Sequence, residues 1–182
     1  VHATVPEPFP ETKPATEFID GQLVQKMSPR GLHARVQAAL ARMLIDWAET
    51  RRAGRVGTEW DFDLTPPGGS VHRLVPDVAF LSYARVPYDD DDAAEIPTVA
   101  PELVIEVLSP GQSMADLARK IDIYRTAGVE LIVVVDPRAQ RAVLHGATGH
   151  ATIRGGGTIE HPALPGLRLP LERAFAKGPR PE

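Results

Sequence analysis

Pro76-Asp77, Glu106 on a later apolar run, and Lys120 in the amphipathic segment after it are the residues of this chain whose types and spacing could do chemistry. Two carboxylates from neighbouring strands can hold a hard divalent cation such as Mg²⁺, or Mn²⁺ in its place. A nearby ammonium can orient the attacking water or meet developing negative charge. Phosphodiester hydrolysis needs those parts.

Each of the three has a plainer reading. Asp77 follows Pro76, whose fixed φ and missing N–H belong at an edge strand, a strand start or a bulge. It is either a re-aimed site residue or a solvated strand-end carboxylate. Glu106 sits between Ile105 and Val107, and a carboxylate taken from water needs a metal, a proton or a partner. A buried arginine would serve as well as a cation. Lys120 lies about 10 Å along a helix that must run back across the sheet, and Glu106 about 7 Å before its strand ends, so the heights agree. The alternative is an exposed Asp116–Lys120 helix pair worth a few tenths of a kcal/mol. Strand parity puts Leu108 on the face of Glu106, so the place of the lysine in an E-x-K pattern is apolar.

The elements that must position these residues follow from periodicity. Asp20-Gly21 between Phe18-Ile19 and Leu23-Val24 predicts a hairpin, and Ser28-Pro29 predicts the opening of a helix. Val36, Leu40, Met43, Leu44 and Trp47 give that helix its stripe to about Gly54. Residues 56–64 and about 73–81 read as two strands joined by the Pro66-Pro67-Gly68-Gly69 turn. If that turn centres near Gly68, Glu59 faces Asp77. Asp89 to Asp92 read as a solvated loop. The run 103–108, apolar except for Glu106, suits a central strand covered on both faces. Ser113 and Asp116 cap a helix whose stripe is Leu117, Ile121 and Tyr124, with Lys120 on its flank and Gly128 at its end. Residues 131–135 are a second buried strand. A meander and a short helix at about 171–175 follow. The order predicts an α/β domain over 15–182, a mixed central β-sheet flanked by helices, after a flexible Pro-rich tail over 1–14.

Composition sets bounds. The absence of cysteine excludes disulfides, zinc-thiolate sites and a cysteine nucleophile, and fits a reducing cytoplasm. No apolar run approaches a membrane span, and the Pro-rich acidic start is unlike an export signal, so a cytoplasmic location is expected. The formal charge is −4, but the four residues Asp89 to Asp92 account for all of it, so the remainder can present a basic face to nucleic acid. Arg51, Arg52 and Arg55 are candidates for that contact. Lysine is the rarer base, at Lys13, Lys26, Lys120 and Lys177. His33 shares the apolar helical face and is read first as a core-edge histidine, with a place near the metal as the alternative.

The segments Pro76-Asp77-Val78-Ala79, Pro101 to Pro110, Asp116, Lys120, Tyr124, Ala127-Gly128-Val129 and Val135-Asp136-Pro137 closely resemble the Uma-type putative restriction endonuclease family of the PD-(D/E)XK nuclease-like superfamily. The resemblance extends upstream through Ile19-Asp20-Gly21, Met27-Ser28-Pro29 and His33, and downstream to Leu164-Pro165-Gly166. It implies a restriction-endonuclease-like α/β core, Mg²⁺ at Asp77 and Glu106, and a lysine moved from the strand to the helix at Lys120. The expectation is a Mg²⁺-dependent endonuclease acting on DNA, as a homodimer so that each strand meets a site. The rivals are a nuclease-derived module that binds nucleic acid without turnover, and a hydrolase of small phosphate esters.

Overall fold

The computed structural model describes residues 4–178. Thr16–Ile19 (β1) and Gln22–Gln25 (β2) form the expected hairpin, with Asp20 and Gly21 at φ 51° and 81°, as a tight turn of that hand requires. The helix Gly31–Arg51 (α1) starts later than expected: Arg30 is its N-cap, and Ser28-Pro29 lie in the approach rather than the first turn. It ends where Arg52 turns left-handed at φ 50°, before Gly54.

The two long strands expected over 56–64 and 73–81 are each broken. Gly54–Thr58 (β3) is separated from Phe62–Leu64 (β4), and His72–Leu74 (β5) from Val78–Ser82 (β6). β4 pairs with β5 and β3 with β6, so one long ribbon is bent in the middle and shared between two sheets. The bend falls where Glu59 adopts φ 50° and Pro76 offers no N–H. The Asp run is more than a loop: Asp90 caps the short helix Asp91–Glu95 (α2), its side chain accepting the Ala93 N–H at 3.0 Å.

Leu103–Val107 (β7) is followed by Met114–Ala127 (α3), capped by Ser113 Oγ and ended by Gly128 at φ 97°. Leu131–Asp136 (β8), Arg141–Gly146 (β9), Gly149–Arg154 (β10), Thr158–Ile159 (β11), Leu169–Pro170 (β12) and Leu171–Phe175 (α4) complete the chain. The main sheet runs β10-β9-β8-β7-β6-β3, and a smaller one runs β2-β1-β5-β4. β7 and β8 are parallel, which α3 makes possible as the crossover between them. No helix among the described residues is long and apolar enough to cross a membrane.

Both faces of the main sheet are covered. Leu40 and Leu44 of α1 pack with Val78, Ile105 and Val133 on one face. On the other, Ile123 and Tyr124 of α3 pack with Val104 and Ile132 and with Phe62 and Leu74 of the small sheet. That double cover is why the 103–107 run is apolar at both parities.

The β3–β6 contact is close enough to require glycine at its start. A Cβ on Gly54 would lie 2.3 Å from the Leu81 carbonyl oxygen and 2.6 Å from Ser82 Cα. Gly54→Ala is therefore expected to cost about 1–3 kcal/mol in urea unfolding, the scale of overpacking. Gly31→Ala, with nothing within 4 Å of its added carbon, should be neutral or stabilising.

Candidate active site

Strand register sets three carboxylates side by side. Thr58 faces Val78, and Val78 faces Ile105. One residue further, Glu59, Asp77 and Glu106 form a row across three adjacent strand ends. The Glu59 N–H to Asp77 carbonyl bond, at 3.4 Å, carries the pairing into that row. Asp77 Oδ2 accepts the Val107 N–H at 2.6 Å, which pins the carboxylate against the end of β7.

Asp77 and Glu106 are only 3% and 2% exposed, so their charges need partners inside the protein. Two lysines supply them. Lys26, just past β2, puts Nζ 2.8 Å from Asp77 Oδ1 and 3.0 Å from Glu59 Oε2, and donates to the Val75 carbonyl at 2.8 Å. Lys120 of α3 lies 2.7 Å from Glu106 Oε1 and 2.7 Å from Glu17 Oε1 of β1. Tyr124, one turn on, donates its hydroxyl to Glu106 Oε1 at 2.8 Å. His33 Nε2 is 3.1 Å from Asp77 Oδ2, and Gln37 Nε2 donates to the Asp77 carbonyl and to Glu59 Oε1.

The structure brings Asp77, Glu106 and Lys120 into one cluster, and Glu59 with them. Glu106 is met by a lysine and a tyrosine rather than an arginine. Lys120 belongs to the buried stripe Leu117, Lys120, Ile123 and Tyr124, leaving Ile121 on the flank. His33 is buried as a core histidine would be, yet its ring reaches Asp77. Lys26 and Glu17 were not singled out by the sequence. Their signals were slight: Lys26 is one of four lysines in an arginine-rich chain, and Glu17 interrupts a short apolar strand. Arg51, Arg52 and Arg55 lie elsewhere, since Arg51 is about 27 Å along α1 from His33. Arg55 is already bonded to the carbonyls of Val86, Pro87 and Tyr88.

The site opens into a cleft of about 1260 Å³, where eight carboxylates face four lysine or arginine side chains. Within the cluster, Glu17, Glu59, Asp77 and Glu106 share Lys26, Lys120 and one imidazole. Negative charge is in excess even if the imidazole is counted as charged. Burial pushes the Asp77 carboxyl up, but the His33 hydrogen bond and the Lys26 charge outweigh it and hold the group well below the usual range. Glu106 goes the other way: burial raises it to about 7 against the pull of Lys120, with Asp77 adding to the rise. Burial lowers Lys120, but Glu106 and Glu17 more than reverse that.

Asp77, Glu106 and Glu59 are an all-oxygen donor set, the kind that suits Mg²⁺. No group of three or more His, Cys, Asp and Glu side chains among the described residues is arranged to hold a metal ion. Any ion at this set would be held by one or two carboxylates and keep several waters.

The sequence profile of Uma2, described as "Putative restriction endonuclease", matches residues 6–172. The chain belongs to the Uma2 family. A crystal structure of a putative nuclease belonging to DUF820 from Anabaena variabilis ATCC 29413 superposes with a TM-score of 0.79 at 25% identity, covering 92% of this chain and 93% of that one. The Uma2 chain thus has the restriction-endonuclease-like fold, a mixed sheet between helical layers. The DrdV–DNA complex gives a TM-score of 0.41 at 18% identity over 81% of this chain and 14% of that one, a likeness too remote to interpret. No curated protein matches significantly.

The position of Glu106 sets a pH dependence of stability. Its folded value, about 7, lies above its usual 4.5, so between those limits the folded state keeps a proton that the unfolded state has released. Stability from this group is full below the lower limit and is lost as pH rises through the upper one, by about 3 kcal/mol at most. Glu106→Gln, which cannot ionise, should lack that loss. Urea melts of both proteins from pH 5 to 8 should show the wild type losing stability relative to the variant as pH rises, and a constant difference would contradict the assignment.

Proposed function

We propose that this Uma2 protein is a Mg²⁺-dependent endonuclease that hydrolyses DNA phosphodiester bonds. The observation that carries this reading is the excess of carboxylate over ammonium in the cluster, with Glu17, Asp77 and Glu106 buried and Glu59 exposed at the mouth of the cleft. Asp77 and Glu106 would hold the ion, with Glu59 beside them. When bound, it would supply Lewis-acid activation of water and neutralise phosphate charge. Burial, with Asp77 adding to it, raises Glu106 despite Lys120, and a bound cation would favour its ionised form.

The chain's own residues hold the donor set still. The Val107 N–H and His33 orient Asp77, while Tyr124 and Lys120 orient Glu106. Lys120 also places a fixed positive charge beside the position where the phosphate charge would build up. The family description and the name of the Anabaena protein support hydrolysis of nucleic acid over that of a small ester. An acidic cleft would repel a polyanion unless divalent cations were bound there.

Supercoiled plasmid incubated with the purified full-length chain and Mg²⁺ or Mn²⁺ should be nicked or linearised. Asp77→Asn and Glu106→Ala should each lower the rate by about a hundredfold or more, as expected for removing a group that stabilises transition-state charge. DNA binding without cleavage in either metal would replace the catalytic reading with that of a non-catalytic binding module.

Cutting both strands of a duplex is most simply done by two sites related by a two-fold axis, so we also propose a homodimer. Sedimentation at tens of micromolar should give the mass of two chains, and a single-chain mass would overturn this part.

A further inference from the structure

Lys26 has no role in the reading above, yet its ammonium meets both Asp77 and Glu59. Its ammonium is surrounded by three oxygens of different origin: Asp77 Oδ1 at 2.8 Å, Glu59 Oε2 at 3.0 Å and the Val75 carbonyl at 2.8 Å. Two carboxylates and a backbone carbonyl are the ligand types a hard divalent cation takes. An ammonium and a divalent ion cannot both occupy the one position that reaches all three oxygens. Lys26 also lines the cleft, the space into which it could swing. Its N–H bonds to the Ala15 carbonyl, the residues after it up to Arg30 are irregular, and Met27 beside it is half exposed.

We propose that Lys26 is a tethered counter-cation on Asp77 and Glu59, and that a divalent ion taking up Asp77 as a ligand enters by displacing it into the cleft. This rests on the metal-dependent reading of the same site. The built-in ammonium keeps Asp77 and Glu59 compensated when no metal is present. It weakens the apparent metal affinity, since only the fraction of molecules with Lys26 swung out is competent to bind. The released amine is then free on the wall of the cleft that would receive phosphate.

Two measurements on the full chain test this. Calorimetric titration with Mn²⁺ should show Lys26→Met binding about tenfold or more tightly than wild type, with Lys26→Arg no tighter than wild type. Lys13→Met, which removes a cation from the cleft but not from these oxygens, should change the affinity little. The second measurement needs no variant and is unaffected if Lys26→Met folds poorly. Acetic anhydride labelling of wild type, read by mass spectrometry at the four lysines, should find Lys26 protected in EDTA and several-fold more reactive in saturating Mg²⁺. Equal Mn²⁺ affinity in wild type and Lys26→Met, or unchanged Lys26 reactivity in a protein that does bind Mg²⁺, overturns the displacement and leaves the metal site standing. Absence of Mn²⁺ binding in both proteins overturns the metal site and the displacement together.

Discussion

The charge balance of a few buried carboxylates is the constraint on which the rest of the structure depends. Asp77 and Glu106 are adjacent through strand pairing, and among the described residues the cations that meet them come from outside the main sheet. Their partners come from every other layer. The β1–β2 hairpin brings Glu17 and Lys26, α3 brings Lys120 and Tyr124, and α1 brings His33 and Gln37. Breaking one such buried pair strands a charge at a cost of about 3–5 kcal/mol. The cluster is therefore a fastening between layers as well as a candidate site. Glu17 shows the double duty most directly, since its Oε1 meets Lys120 of α3 and also accepts the N–H of Val75 at 2.9 Å, at the bend of the ribbon.

That bend is the second element of the design. A continuous β3–β4 strand paired with a continuous β5–β6 strand would make one long flat ribbon with its acidic residues in solvent. Positive φ at Glu59 and the missing donor at Pro76 end the pairing at one height. The outer half of the ribbon then folds over α3 as part of the small sheet. The cleft is the space left inside the fold, and Glu59 and Asp77 are at its corner because the chain changes sheets there.

Much of this was legible in the sequence where a residue's type and neighbours decide its place. Glu106 in an apolar strand, Pro76 before Asp77, Asp20-Gly21 as a turn and Ser113 as a cap are local signals, and each element lies where they put it. The breaks inside the two long strands were not legible, because alternation continues through residues 60–64 and 72–74 although the pairing partner changes. Helix α1 was placed too early, since Ser28-Pro29 is a common helix opening but the tertiary path keeps it extended. Lys26 and His33 depended on long-range packing. Lys26 meets partners 33 and 51 residues away and His33 one 44 residues away. No local pattern encodes such a meeting.

The absence of a lysine at position 108 changes the tether of the site's positive charge rather than removing it. Leu108 continues the ladder, its N–H bonded to the Val135 carbonyl at 2.8 Å, and shares the face of Glu106. A lysine there would be anchored to the same strand as the carboxylate it serves, and its position would be independent of α3. Lys120 reaches the same carboxylate from the helix, 2.7 Å away, and Tyr124 one turn later holds the same oxygen. The geometry at Glu106 then depends on how α3 is seated, and α3 is itself held by Glu17 through Lys120. A helix-borne lysine thus makes the site sensitive to the docking of the β1–β2 hairpin, the same element that carries Lys26 to Asp77. Both cations of the site are in this way governed by one peripheral hairpin, which a strand-borne lysine would not allow.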